Sequence, residues 1–302
     1  MGGYESNGQC REFDGEKYRV IPSLNVNRRS AASTYIENKV VISGGFKDFC
    51  NYFDSIEVLD WDETNHGSQW IKFPSKLPIK ISNHTMVTCN NKLYVIGGYH
   101  ENIYGSDSSD SSVLGSESCN IFGLPEEAHT NSISSCYSSW SNRAFAQKLY
   151  NYHPVGSEGK PPGACGRSLF ITSNKIWEGV FDSQNNKISW VEMGFRLQKK
   201  RHNHFSFVIS NEIIIFGGCD AEHQISCDIV EIIQGNRITK GPSVPFPLNS
   251  VDDHAILDRK NRIIIISKNH GMIVYNHKNG TFTNYDHLKL RVKGGIHAAI
   301  LQ

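Results

Sequence analysis

The stretch NNKLYVIGGYHEN, residues 90–102, holds a pair of asparagines, an apolar run of strand length and a pair of glycines. Asparagine tolerates positive φ and suits a tight turn between two strands. Glycines after a strand permit a sharp exit, or a close approach of neighbouring backbone, that a Cβ would obstruct. The pattern recurs along the chain. Asn38-Lys39-Val40, Asn91-Lys92-Leu93, Asn174-Lys175-Ile176, Asn211-Glu212-Ile213 and Asn261-Arg262-Ile263 each place an asparagine, a charged residue and then a β-branched residue or leucine. Six residues after each asparagine comes one slot, filled by Gly44-Gly45, Gly97-Gly98 and Gly217-Gly218, by Val180 in one unit and by Ser267 in another.

A repeat of about 50 residues points to a propeller or solenoid before any other fold. Beyond the glycines the units offer a third and a fourth strand: residues 55–60 then 69–73, 228–232 then 237–239, 273–275 then 281–283, and 10–14 then 18–20. Four strands per unit make a blade. Proline or basic loops follow, with Pro22, Pro74, Pro78, Pro242, Pro245 and Pro247 among them.

These features resemble the kelch repeat, with its double glycine, aspartate-ended third strand, spaced aromatic and basic residue before the next strand. Trp70 and Trp190 stand in the aromatic slot, and Arg28, Lys80 and Arg201 lead into first strands. The stretch 55–60 followed by Trp70 is most similar to the BTB-kelch adaptors, although no BTB, BACK or F-box segment is present. The resemblance covers nearly the whole chain and implies an all-β, six-bladed propeller with four-stranded blades, forming one domain over residues 1–302.

Between Gly97 and Asn174 the unit is too long, and its excess, Ser/Asp-rich residues 101–118, reads as a mobile insertion after the second strand. Residues 118–122 then resume as a third strand, Trp140 marks a fourth, and the next blade is compressed, with Val180 to Asp182 as its third strand. At the ends, His84, His204 and His254 each stand 13 residues before the glycine slot, so His297 announces another hairpin, while Met1-Gly2-Gly3 looks like the slot of that same blade. The expectation is one blade closed by strands from both termini and lacking one strand, as in a piece of a longer chain or a product that has lost that strand.

Composition bounds the function. Net charge is +1, so no global field favours nucleic acid or an anionic membrane, and the best basic run, Lys199-Lys200-Arg201-His202, is short. The apolar runs are about strand length, far below the roughly 20 residues of a membrane helix. The N-terminus lacks a signal-peptide pattern, which argues for a cytosolic or nuclear address, with the cytoplasm expected. The eight cysteines show no disulfide framework.

His84, His204, His254 and His297 share one slot of the first strand, and a ring of imidazoles could bind metal. Their repetition in register favours packing, because a catalytic site needs different residues doing different jobs. Cys219, His223 and Cys227 form C-x3-H-x3-C, which matches no common structural zinc motif. No metal or cofactor is expected.

In kelch adaptors the ligand sits on the face made by loops after strand two and loops leading into strand one. The matching residues here are Arg28, Arg29, Phe46, Lys47, Tyr99, His100, Lys200, Arg201, His202, Asp220, His223, Asp252, Asp253 and His270. Arginines and aromatics anchor interfaces, and Arg28, Arg29 and Arg201 suit an acidic peptide. The resemblance therefore implies a non-catalytic module binding a protein or peptide, as an adaptor for ubiquitin ligases or a cytoskeletal scaffold, with no oligomer required. The alternative is a small-molecule propeller enzyme of the sugar mutarotase or oxidase type, using a histidine or arginine and a carboxylate such as Asp253 or Glu222. No G-x-S-x-G, H-E-x-x-H or phosphate-loop stretch supports a catalytic site.

Overall fold

In three of the asparagine turns, both central residues are left-handed: Glu37 and Asn38 (φ 45° and 59°), Asn90 and Asn91 (50° and 56°), Ser210 and Asn211 (52° and 63°). Two such residues make the type I′ turn, whose twist matches that of the strands it joins. Each turn closes a hairpin of the two inner strands: Ala32–Ile36 with Lys39–Ser43, Thr85–Cys89 with Lys92–Ile96, and Phe205–Ile209 with Glu212–Phe216. A fourth hairpin pairs Asp253–Leu257 with Arg262–Ser267.

The computed structural model describes residues 10–13, 17–47, 51–61, 69–102, 169–220, 225–250, 253–267 and 269–285. The chain divides into two compact units, residues 1–101 with 170–302, and residues 102–169. Of the second unit only Asn102 and Leu169, at its ends, are described.

Each inner hairpin becomes a four-stranded antiparallel sheet with strands in chain order. The first blade adds Ser55–Asp60 and Ile71–Lys76, the third adds Ile229–Gln234 and Arg237–Ser243, and the fourth adds Gly271–Asn276 and Thr281–Tyr285. The second blade corrects the sequence reading. Its third strand is Ile176–Asp182, which pairs directly with Lys92–Ile96, and its fourth is Lys187–Glu192. The described residues of 97–192 therefore belong to one blade where two were expected, and 103–168 lie outside the described residues. Asn174 is absent from the left-handed residues and turns no hairpin. Val180 lies mid-strand opposite Ser189, not in a glycine slot.

The described residues thus supply four complete blades and a two-stranded hairpin, Cys10–Phe13 with Tyr18–Ile21, and the remainder of the expected six-bladed ring falls outside them. Of the expected insertion, Glu101 and Asn102 belong to the strand Tyr99–Asn102, and the rest lies outside the described residues, as do 118–122, Trp140, His297 and both chain ends.

Every core cluster joins two neighbours, which is how a propeller holds together. Cys10 and Ile21 of the N-terminal hairpin pack with Ile42, Leu59 and Trp70 of the first blade. Ile36, Val41 and Val58 pack with Leu93, Val95 and Trp177 of the second. Tyr94, Ile96 and Ile176 pack with Ile213, Ile215 and Ile233 of the third. Ile214, Phe216 and Val230 pack with Ile263, Ile265 and Tyr275 of the fourth.

The double glycine stitches blade to blade. Gly45 N–H donates to the Ile81 carbonyl at 2.8 Å, in the lead-in to the next blade. Gly98 donates to Arg201 O and Gly218 to Leu248 O in the same way. A Cβ on Gly44 would lie 2.5 Å from Ile81 O, and one on Gly45 2.5 Å from Arg29 O, so no larger residue fits. Past the glycines the backbone pairs again in a second small ladder: Phe46 with Arg29 and Tyr52, Tyr99 with Ser82, and Cys219 with His202 and Ser226.

Candidate functional site

Six of the expected binding residues, Arg29, Phe46, Tyr99, His100, His202 and Asp220, lie in the second ladder, and burial divides the set. Arg28 and Arg201 do not reach the rim. Arg28 donates to Glu57 Oε1 at 2.7 Å and to the carbonyls of Gly44 and Ser55, and Arg201 donates to Glu231 Oε1 at 2.5 Å and to Gly217 O. All four side chains are fully buried. The glutamates also cap the lead-in loops, Glu57 accepting the backbone N–H of Asn25 and Val26, and Glu231 that of Gln198. A charge consumed this way cannot grip an acidic peptide, so both arginines are positioning elements of their blades.

His202 and Asp253 are also buried. His202 stacks against Tyr99 with ring centroids 3.9 Å apart, its Nε2 lying 2.8 Å from the Tyr99 hydroxyl and 3.3 Å from Cys219 Sγ. Burial lowers its pKa to about 3, against smaller opposing effects of Asp220 and the Cys219 backbone. Its imidazole is therefore neutral and a poor acceptor of the Cys219 proton, since the imidazolium so formed would be desolvated. Asp253 Oδ2 accepts the Asn249 N–H at 2.8 Å. The basic run 199–202 thus presents lysines, not four cations.

Arg29, Phe46, Tyr99, His100, Lys200, Asp220 and His270 are half-buried, and Lys47 is exposed. Phe46 packs against Tyr52 at 5.6 Å, an aromatic that the sequence reading did not single out, and His270 stacks on Phe246 at 4.5 Å. His223 and Asp252 lie outside the described residues. Among the described residues no group of three or more His, Cys, Asp or Glu side chains is placed to hold a metal ion.

The histidine slot is structural where it is described. His84 and His204 are buried, each with Cε1 against a glycine of the preceding blade, Gly44 and Gly97. Nε2 of His84 lies 3.1 Å from Ser43 Oγ, and that of His204 2.8 Å from Thr85 Oγ1. Burial lowers the pKa of His84 to about 3 and that of His204 well below its ordinary value. His254 is half-buried in the strand Asp253–Leu257.

One residue before this slot, Ser30, Asn83 and Asn203 are all left-handed, with φ of 51°, 54° and 53°. Their peptides form a head-to-tail chain across the blades: Asn83 N–H donates to Ser30 O, Asn203 N–H to Asn83 O, and Ser250 N–H to Asn203 O, at 2.9, 3.0 and 2.7 Å. Beside it opens a cavity of about 380 Å³, walled by first-strand residues of three blades together with Ser250. The sequence reading passed over these residues, although a Ser or Asn preceding the slot in three blades was their signal.

A family model described as the Kelch motif matches residues 81–113. The fold is an all-β propeller, and a Kelch motif lies within it. A solved structure titled "Structure of YjhT" is similar to this chain, with a TM-score of 0.51 at 14% identity, covering 86% of this chain and 66% of that one. The chain thus spans less than two thirds of that structure's length, and the likeness speaks for the fold alone. No curated protein matches the sequence. Among the described residues no helix is long and apolar enough to cross a membrane.

Proposed function

We propose that this kelch propeller is a non-catalytic interaction module that takes a protein or peptide on the face carrying the second ladder. The observation that carries the reading is the half-exposed Phe46 and Tyr52 pair, flanked by exposed Lys47 and bridged through the Phe46 backbone to Arg29. Aromatic and arginine side chains on a fixed backbone lose little entropy on contact and anchor interfaces. Across the next blade boundary the face continues through Tyr99 and His100. A cytoplasmic adaptor or scaffold, serving a ubiquitin ligase or the cytoskeleton, is the finer form of this reading, and an acidic segment is the ligand that Arg29 and Lys47 suit.

The test is to crosslink the tagged chain in a native extract beside a Phe46→Ser, Lys47→Glu double variant of equal thermal stability. Loss of specific partners from the variant supports the face. An unchanged partner set removes the site from it.

A further inference from the structure

The turn between the third and fourth strands of the fourth blade holds chemistry that the interaction face does not use. Asn279-Gly280-Thr281 leads from it into the strand Thr281–Tyr285, and both Asn279 and Thr281 are exposed. The chain has one other Asn-Gly pair, Asn7-Gly8, which is followed by glutamine and lies outside the described residues. After every other asparagine the next residue carries a side chain.

An asparagine loses its amide when the following backbone nitrogen attacks the side-chain carbonyl carbon. Access, room for a ring and polarisation of the carbonyl all favour that attack here. Gly280 brings no Cβ to shield its nitrogen, and one built there would meet nothing nearer than Pro242 Cγ at 4.0 Å. Among the described residues the Gly280 N–H finds no acceptor. Asn279 Oδ1 accepts two hydrogen bonds from Thr281, from Oγ1 at 2.6 Å and from the backbone N–H at 3.3 Å. Donors aimed at an oxygen that gains negative charge stabilise the transition state. Neither bond engages the amino group that must depart.

We propose that Asn279 is a site of self-catalysed deamidation, in which Thr281 holds and polarises the side-chain carbonyl for attack by the Gly280 nitrogen. The Gly280 N–Cγ bond forms and the Cγ–Nδ2 bond breaks. Ammonia leaves with the proton that Gly280 N gave up, and a succinimide ring joins residues 279 and 280. Water, the only co-reactant, then opens the ring at either carbonyl to give aspartate or isoaspartate. Either product places a new negative charge beside exposed Lys278. Isoaspartate also inserts a methylene into the backbone just ahead of Thr281, whose strand packs Phe282 against Tyr275 at 4.7 Å and Phe216 at 6.4 Å. The reaction is thus a slow clock wired to the outer strand of the blade, and it stands apart from the outer face.

The full chain is aged in neutral buffer, folded or in urea, and tryptic peptides read by mass spectrometry locate the modified asparagine. Isoaspartyl methyltransferase labelling counts the isoaspartate. Asn279 is expected to deamidate in the folded parent. Thr281→Val keeps a β-branched residue in the strand and removes the hydroxyl donor, and should slow the reaction about three- to tenfold, the worth of one hydrogen bond. Thr281→Ser should restore the parent rate. Thr283→Val, on the same exposed side of that strand, should leave it unchanged, as should Asn7 in the same digests. In urea the turn is lost, and Thr281→Val should match the parent. Asn279 intact in the folded parent while Asn7 is modified would overturn the assignment. So would a folded rate unmoved by Thr281→Val, an equal slowing by Thr283→Val, or a slowing that persists in urea.

Discussion

Arg28 and Glu57 form a 2.7 Å ion pair that is wholly buried within the first blade, and Arg201 and Glu231 repeat it in the third. Arg28 and Arg201 stand 16 residues before the first glycine, and the glutamates face Ile42 and Ile215 across the ladder. In the second blade those two positions are Ile81 and Trp177, both buried in one core cluster. The chain therefore contains the ionic and the apolar solution to the same site. Removing one partner leaves an uncompensated buried charge, so Glu57→Ala or Arg28→Ala should cost about 3–5 kcal/mol. The double change Arg28→Ile, Glu57→Trp should restore most of that loss. Urea unfolding of the four proteins reads the cycle, and singles costing less than about 1 kcal/mol would contradict the burial.

Two glycines with similar backbone angles should respond very differently to alanine. Gly218, at φ 78°, would place its Cβ 2.4 Å from the His202 carbonyl, whereas Gly235, at φ 58°, has nothing within 4 Å. Gly235→Ala should cost about 1–2 kcal/mol, the strain of a left-handed alanine. Gly218→Ala adds a clash with backbone that cannot move without opening the stitch to Leu248, and should leave little soluble protein. Expression yield and thermal melting compare the two directly.

The turns and glycines made the fold legible, because a type I′ hairpin and a double left-handed exit each demand residues that little else explains. Glu57 and Glu231 show where legibility ended. A glutamate inside an apolar third strand signals a buried partner, but which arginine reaches it depends on packing within the blade, and so Arg28 and Arg201 read as surface grips. Asn174 misled for a related reason. The Asn-charged-branched pattern describes a turn only when its asparagine is left-handed, and strand pairing with Lys92–Ile96 made that segment an entry to a third strand instead. The left-handed residues Ser30, Asn83 and Asn203 carried a short polar signal that makes sense only once neighbouring blades bring them together.

Acid should loosen the ring through its histidines. His84 and His202 have folded pKa values lowered to about 3, below the ordinary 6.5 they regain on unfolding. The unfolded chain therefore binds more protons between those limits, so stability is complete above pH 6.5 and falls as pH drops toward 3. Each such histidine contributes a slope of about 1.4 kcal/mol per pH unit in that window. Urea unfolding from pH 7.5 to 4.5 should show the decline, and His84→Gln should flatten it by about one histidine's share. A slope identical in the variant would mean that His84 is not held neutral.

The second blade predicts that its frame does not need the residues between its second and third strands. Tyr99–Asn102 and Leu169–Thr172 are neighbours in one small sheet, so their facing ends define where a short turn can join them. Beyond that sheet, Ile176 pairs with Ile96 and Gly179 with Leu93, where Trp190 fills the space a side chain at 179 would take. Replacing residues 103–168 by an Asn-Gly turn shortens the loop that must close before this pairing forms, and loop entropy changes only slowly with length. The shortened chain should melt cooperatively and within a few degrees of the parent, about the shift that 1 kcal/mol produces. If 97–192 held two blades, the deletion would remove the strands of one and expose the cores on either side. Aggregation or loss of a cooperative transition would therefore argue for two blades, and a retained transition for the single four-stranded sheet.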